Sequence, residues 1–197
     1  GGSRPPSEGA EEKAAARPAL APLAPGLVTA ASRAANEEGG GARAVPALPI
    51  SCPPEERTTV MLRNIPNDVH RDRFISILDS EGLSGMYDFI YLPVDFRTGA
   101  SLGYAFVNMV SPKATQRLWK ALDGFIRWNL PSKKRCSVSW SEPHQGFAAN
   151  VERYRNSPVM HPSVPDACKP ILFEDGARIP YPEPTKPIRV PRVRKLC

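Results

Sequence analysis

Polar and apolar positions alternate along four short runs of this chain, and alternation with a period of two is typical of β-strands. Two further segments carry apolar residues at every third or fourth position, which predicts amphipathic helices. The predicted strands cover residues 58–65, 87–93, 102–109 and 135–140, and the predicted helices cover about 69–81 and 112–122. Proline or glycine follows most of these segments and marks where each one ends.

The order of these elements is strand, helix, strand, strand, helix, strand within residues 58–142. Two such halves build a four-stranded antiparallel sheet with both helices on one face, the α+β fold called ferredoxin-like. Asn67 or Asp68 offers a cap for the first helix, and Ser111 followed by Pro112 offers a cap for the second. The other face of the sheet is then predicted to be open.

The third strand carries two aromatic residues on that open face. In Leu102–Met109, Tyr104, Phe106 and Asn108 share one side, while the small and aliphatic residues share the other. Rings two residues apart suit the stacking of successive unpaired bases, and Gly103 allows a close approach of backbone or base. The run fits positions two to seven of the ribonucleoprotein octamer and departs from it at both ends.

The other strands are expected to add apolar and basic residues to the same face. We predict that this face binds single-stranded RNA, because exposed aromatic residues among arginine and lysine are typical of such surfaces. The predicted RNA-binding residues are Met61, Arg63, Tyr91, Tyr104, Phe106, Asn108, Lys133, Lys134 and Arg135. For Tyr91 and its neighbour Phe89, burial beneath a later segment is an equally good interpretation. Lys133–Arg135 either contact phosphate or form a solvated loop.

The segments outside residues 58–142 differ in composition. Residues 1–57 contain no Phe, Tyr, Trp or Met and are rich in Ala, Pro and Gly, so we expect them to be disordered. Residues 143–175 form a predicted C-terminal extension, in which apolar residues spaced by three and four predict a helix over 146–156. We expect this helix to dock on or beside the sheet near Tyr91. Residues 176–197 form a basic, proline-rich tail.

Charge and cysteine usage narrow the classes of function. The net charge is +6, and residues 58–197 carry 20 basic against 13 acidic side chains, which fits a polyanionic partner. The four cysteines lie far apart without a Cys-x-x-Cys pair, so we expect no metal site and no cofactor. No apolar run reaches the ~18 residues of a membrane helix. The residues show no arrangement typical of a catalytic site.

Two motifs in the chain resemble those of the RNA recognition motif family. Val60–Ile65 is similar to the short motif of that family's first strand, and Leu102–Met109 is similar to its octamer. By position, the resemblance places the family's stacking residues at Met61, Tyr104 and Phe106. Methionine replaces the usual aromatic residue, so we expect weaker stacking there.

Longer strings resemble the C-terminal recognition motif of Mei-two-like proteins, which are RNA-binding regulators of meiosis and development. The strings are Thr58–Asn67, Tyr87–Phe96 and Gly103–Asn108, with Phe147–Pro158 and Lys169–Phe173 resembling the tail that follows that domain. The resemblance implies a post-transcriptional regulator. We also expect a monomeric domain, and a site of action in the nucleus, the cytoplasm or both.

Two other classes of function stay open from the sequence. Recognition-motif folds also bind proteins through their helical face, although such modules usually lose the aromatic residues that Tyr104 and Phe106 retain here. The same order of elements occurs in acylphosphatase-like enzymes. Those enzymes need a phosphate-binding loop after the first strand, and Pro66–Arg71 contains no glycine. We therefore expect a binding protein and no enzyme.

Overall fold

The computed structural model of the chain describes residues 52–191, and the predicted disorder of residues 1–51 lies outside that range. The described part contains six strands and three α-helices. In chain order they are β1 (Thr59–Arg63), α1 (Arg71–Ser80), β2 (Tyr87–Tyr91), β3 (Tyr104–Met109), α2 (Pro112–Leu122), β4 (Ser137–Trp140), α3 (Phe147–Arg155), β5 (Ile171–Glu174) and β6 (Ala177–Ile179).

The first four strands form the predicted ferredoxin-like sheet. The strand order β4-β1-β3-β2 puts β1 and β3 at the centre, and all neighbouring pairs are antiparallel. Side chains from one sheet face pack with α1 and α2 into the main core. That core includes the predicted stripes of both helices: Val69, Phe74, Ile77 and Leu78 with α1, and Ala114, Leu118 and Leu122 on α2.

Local signals fix the ends of these elements. The Ser111 side chain accepts a hydrogen bond from the Ala114 N–H and caps α2 as predicted. Gly103 precedes β3 with a φ of +83°, and a Cβ at this position would lie 3.3 Å from the Ile65 carbonyl oxygen. Glycine is therefore required there because the backbones of two strands approach each other closely. The predicted side-chain cap of α1 is wrong, since His70 occupies that position without a capping bond.

The sheet has six strands rather than the predicted four. β5 pairs with the outer edge of β2, and β6 pairs with β5, so the C-terminal extension continues the sheet. The residues of β5 alternate between the two faces. Ile171 and Phe173 join the main core, whereas Leu172 packs on the opposite face. The added strands have a simple physical basis, because a free edge of β2 would leave unpaired backbone groups.

A β-bulge also changes the predicted alternation of β2. Between Tyr87 and Phe89 the pairing with β3 shifts by one residue. Tyr87 consequently points into the main core, where its ring meets Phe173 edge to face, with 5.0 Å between the ring centroids. A bulge inserts one unpaired residue, so the side chains before and after it lose strict alternation.

The boundaries of the ordered fold extend beyond those expected from composition. Residues 52–57 were assigned to the disordered segment, yet they contain a 3-10 turn at Pro54–Glu56. Arg57 also forms an ion pair with Glu142 at 3.1 Å. At the other end, β6 occupies part of the predicted tail. The Arg57 contact joins residues 85 positions apart, and β6 is held by its pairing with β5. Composition does not reveal such contacts.

Candidate nucleic-acid interface

One half of the open sheet face remains accessible. We call it the exposed half, and it consists of Met61 and Arg63 on β1 with Tyr104 and Phe106 on β3. The register places Met61 opposite Phe106 and Arg63 opposite Tyr104. The Tyr104 and Phe106 rings meet edge to face, with 5.8 Å between their centroids. Arg63 Nε lies 3.4 Å from Met61 Sδ, so the arginine folds over the methionine.

The other half of the same face is covered by α3, as predicted for the extension. We call it the covered half, and its centre is Tyr154 of α3. The Tyr154 ring stacks on Phe89, with 5.7 Å between centroids, and tilts against Tyr91 at 4.7 Å. Tyr91 is only 5% exposed. Burial raises the pKa of its hydroxyl well above the usual value. The prediction that Tyr91 contacts RNA directly is therefore wrong, because its ring is buried beneath α3.

A buried polar network fixes the start of α3 on the sheet. The Thr59 hydroxyl donates to Asn108 Oδ1 at 2.7 Å and accepts from the Gly146 N–H and from Asn150 Nδ2. These three bonds use the one donor and both acceptor sites of a hydroxyl group. Gln145 adds bonds to the Thr59 backbone N–H and carbonyl. The helix is thereby held at a defined position by fully satisfied polar groups.

Asn108 belongs to this network and is not available to RNA. Its side chain is 2% exposed and also donates to Asp88 Oδ1 at 2.7 Å. Burial raises the pKa of Asp88, while the bond from Asn108 opposes that effect. The prediction of Asn108 as an RNA contact is therefore wrong. Alternation placed it correctly on the open face but gave no sign of the helix above it.

The chain after β6 lies against the outer side of α3. The Tyr181 hydroxyl donates to the Val151 carbonyl at 3.1 Å, and Arg155 Nε donates to the Glu183 carbonyl at 2.6 Å. Asn156 forms hydrogen bonds with Thr185. We call residues 181–186 the strap. The helix is thus enclosed between the sheet and the strap, which restricts its movement away from the face.

An ion-pair cluster joins the extension to α1. Asp166 lies between Arg71 and Arg178, with N–O distances of 2.9 and 2.6 Å. Hydrogen bonds from Arg178 and Arg71 hold the pKa of Asp166 well below its usual value. Arg71 is 9% exposed, so this cluster also satisfies most of a buried guanidinium.

The predicted basic residues before β4 point in different directions. Lys134 Nζ donates to Asn67 Oδ1 at 2.8 Å and lies near the Ile65 carbonyl. Arg135 Nη1 donates to the Gly124 carbonyl, at the end of α2 on the helical side of the sheet. Lys133 is exposed. Arg135 is therefore directed away from the exposed half, and the three residues do not form one phosphate-binding group.

Sequence reasoning missed two polar residues of the extension near this face. Arg153 Nη1 lies 2.6 Å from His144 Nε2, and its guanidinium stands 5.6 Å from the centre of the Tyr154 ring. The sequence signal for Arg153 is its position next to Tyr154 in the predicted helix. Helical periodicity does not show how that helix docks, so it could not place Arg153 beside the sheet.

Residues 52–191 contain neither a cluster of metal ligands nor a membrane-spanning helix. Within residues 52–191, no three His, Cys, Asp or Glu side chains come together as metal ligands. In the same range, no helix has the length and apolar character needed to cross a membrane. Burial raises the pKa of the core thiol of Cys136 to about 12.

Comparisons with known proteins show what the chain is similar to. It is 41% identical to "Protein MEI2-like 3" of Arabidopsis thaliana over 129 residues, which is 65% of this chain and 16% of that protein. It is 35% identical to "Protein terminal ear1" of Zea mays over 167 residues, which is 75% of this chain and 24% of that protein. The chain thus spans at most a quarter of these curated relatives.

Among solved structures, the chain is similar to the Sex-lethal RNA recognition domains 1 and 2 from Drosophila melanogaster. The identity is 29% and the TM-score is 0.36, over 44% of this chain and 50% of that one. The model of the family described as RNA recognition motif 2 matches residues 57–155, half of the chain, from two residues before β1 through the end of α3. The chain belongs to the RNA recognition motif 2 family.

Proposed function

We propose that this chain binds single-stranded RNA on the exposed half of its sheet. The observation that carries the proposal is the pair of half-exposed rings, Tyr104 and Phe106, beside Met61 and Arg63 on adjacent strands. Aromatic faces stack on bases of any identity, and a nearby arginine attracts phosphate. The activity proposed here is binding, with no chemical reaction.

The chain spans at most a quarter of the curated relatives named above, so the role of the whole protein is a separate proposal. We propose that it acts on RNA after transcription, as a post-transcriptional regulator in the nucleus, the cytoplasm or both. Membership of the RNA recognition motif 2 family supports this role. So does the net positive charge, because a cationic surface favours encounter with RNA.

Removal of both rings tests the RNA-binding proposal. Replacing Tyr104 and Phe106 together with alanine should weaken binding to a random-sequence ten-nucleotide RNA by about 2–6 kcal/mol, from ~1–3 per stacked base. Fluorescence anisotropy gives the affinities, and circular dichroism shows whether the variant is folded. Met61→Ala should cost less than the loss of either ring.

A matched control removes an apolar side chain from elsewhere on the surface. Ile126, between α2 and β4, is 51% exposed, so Ile126→Ala should leave RNA affinity within about twofold, as expected of a surface position. If the folded double variant binds RNA as tightly as this control, the exposed half is not the binding surface.

A further inference from the structure

Helix α3 covers half of the sheet face, but its position also brings a cation to the border of the other half. We infer that Arg153 of α3, positioned by His144, contacts bound RNA and forms a wall of the site whose floor is the exposed half. This inference rests on the proposed RNA binding and adds a binding residue from outside the four-stranded sheet.

The location of Arg153 follows from the rings around it. Its guanidinium lies 5.6 Å from the centre of the Tyr154 ring, and that ring packs against Tyr91 at 4.7 Å. Tyr91 pairs in register with Phe106, and Phe106 is partly buried against the side chains of the covered half. The guanidinium therefore lies at the boundary between the covered half and the exposed half. In agreement with this placement, Arg153 and Tyr104 both act electrostatically on the hydroxyls of Tyr91 and Tyr154, Arg153 lowering the pKa of each and Tyr104 raising it.

The charge of Arg153 is not neutralised by a carboxylate. Within residues 52–191, the arginines that form ion pairs are Arg57, Arg71, Arg127, Arg155 and Arg178. Arg153 is half-buried like several of them, yet none of the ion pairs in that range includes it. A partly desolvated guanidinium without a carboxylate partner favours an incoming anion, and a phosphate group matches its planar set of donors.

His144 provides the support for this cation. Arginine can only donate, so His144 Nε2 accepts the 2.6 Å bond from Arg153 and the ring is neutral. Burial and the charge of Arg153 both lower the pKa of His144, which keeps it neutral at physiological pH. A neutral acceptor holds the guanidinium in place without cancelling its charge. Arg153 also shares a hydrogen bond with the Tyr154 hydroxyl, and a guanidinium with five donors has others left for a ligand.

The wall is preformed. The Thr59 network holds the start of α3, and the strap holds its outer side through Tyr181 and Arg155. Rigid placement of a binding group lowers the conformational entropy lost on association. RNA would therefore meet Arg153 at a fixed distance from Tyr104, and the covering helix would limit the length of strand lying across the sheet.

The test compares arginines on two different helices. Arg153→Gln removes the charge at the border, and Arg117→Gln removes an equal charge from α2, on the opposite side of the sheet, where Arg117 is exposed. Binding of a random-sequence ten-nucleotide RNA is measured by anisotropy at several salt concentrations. Arg153→Gln should weaken binding about tenfold and reduce the steepness of the log–log salt dependence by about 0.7, the contribution of one phosphate contact. Arg117→Gln should stay within about twofold of the unchanged chain.

A third variant separates positioning from contact. His144→Ala should weaken binding by about threefold, a modest loss typical of one neutral hydrogen bond, while the salt dependence stays the same because Arg153 keeps its charge. Equal affinities for Arg153→Gln and Arg117→Gln, with both variants folded, would overturn the inference. If the Tyr104 and Phe106 double variant still loses binding in that case, the proposed function stands and only the wall is wrong. If neither change matters, the proposed function itself fails.

Discussion

The two halves of the open sheet face carry similar aromatic and apolar side chains and differ in what covers them. Phe106 of β3 pairs in register with Met61 of β1 on one side and with Tyr91 of β2 on the other. The side chains around Met61 and Phe106 remain half-exposed, whereas Tyr91 and Phe89 are buried beneath Tyr154. Aromatic content alone therefore does not distinguish a binding surface from a packing surface.

The difference shows how an extension divides one face between stability and recognition. The covered half forms a second apolar cluster built from β2, β5, α3 and the following turns, with members Phe89, Tyr91, Val151, Tyr154, Val159, Val164 and Leu172. Each of these side chains adds hydrophobic stabilisation, of about 1.5–3 kcal/mol for a large one. The rings of the exposed half are only half-buried, so they contribute less to folding than the rings of the covered half.

The largest expected effect comes from the ring at the centre of the covered half. Tyr154→Ala should lower the free energy of unfolding by about 3–5 kcal/mol, as for other large buried aromatic residues. Tyr104→Ala should lower it by less than about 1 kcal/mol, because that ring is only half-buried. Urea denaturation followed by circular dichroism measures both values.

RNA binding by the same two variants should show the reverse order. Tyr104→Ala is expected to weaken binding by about 1–3 kcal/mol through lost stacking. The Tyr154 variant, measured where it is folded, should bind RNA more tightly than the Tyr104 variant does. If Tyr154→Ala weakens RNA binding more than Tyr104→Ala, the division of the face into these two halves is wrong.

A smaller effect is expected from the polar network that seats α3. Thr59→Val keeps the shape of the side chain but removes the hydroxyl that accepts from the Gly146 N–H and from Asn150 Nδ2. We expect a loss of about 1–3 kcal/mol in the free energy of unfolding, the usual cost of unsatisfied buried polar groups. Thr59→Ser retains the hydroxyl and is the matched control. Equal stability of the valine and serine variants would show that the network does not hold the helix.

The smallest expected effect is on the stability of the fold at low pH, and it comes from the ion pairs of Asp166. The pKa of this carboxyl is lower in the folded chain than its ordinary value of 3.8, so its stabilisation is present above that value and is lost as the pH falls below it. The carboxylate is 60% exposed, which limits the size of the effect. Asp166→Asn should flatten the decrease in stability between pH 4 and pH 2 that thermal unfolding measures in the unchanged chain. A decrease of the same steepness in the variant would assign it to other groups.

The sequence by itself determined the ferredoxin-like domain. Alternation and helical periodicity located all six elements of that domain, because those patterns reflect which side of each element is buried. The Ser111 cap was predicted correctly for the same local reason. The helix predicted over residues 146–156 is confirmed as Phe147–Arg155, and its docking beside Tyr91 is confirmed as well. An apolar stripe must be covered, and the sheet offered the nearest apolar surface.

Only the tertiary structure decided how the open face is used. Alternation assigns a residue to a face, but contacts between distant segments determine whether that face is covered. Asn108 bonds to Thr59 across 49 positions of sequence, and Asn150 reaches the same hydroxyl across 91. No local pattern encodes such distances. The packing of α3 and β5 against the sheet decides three features: the burial of Tyr91, the two added strands and the position of Arg153. That packing is a property of the complete fold.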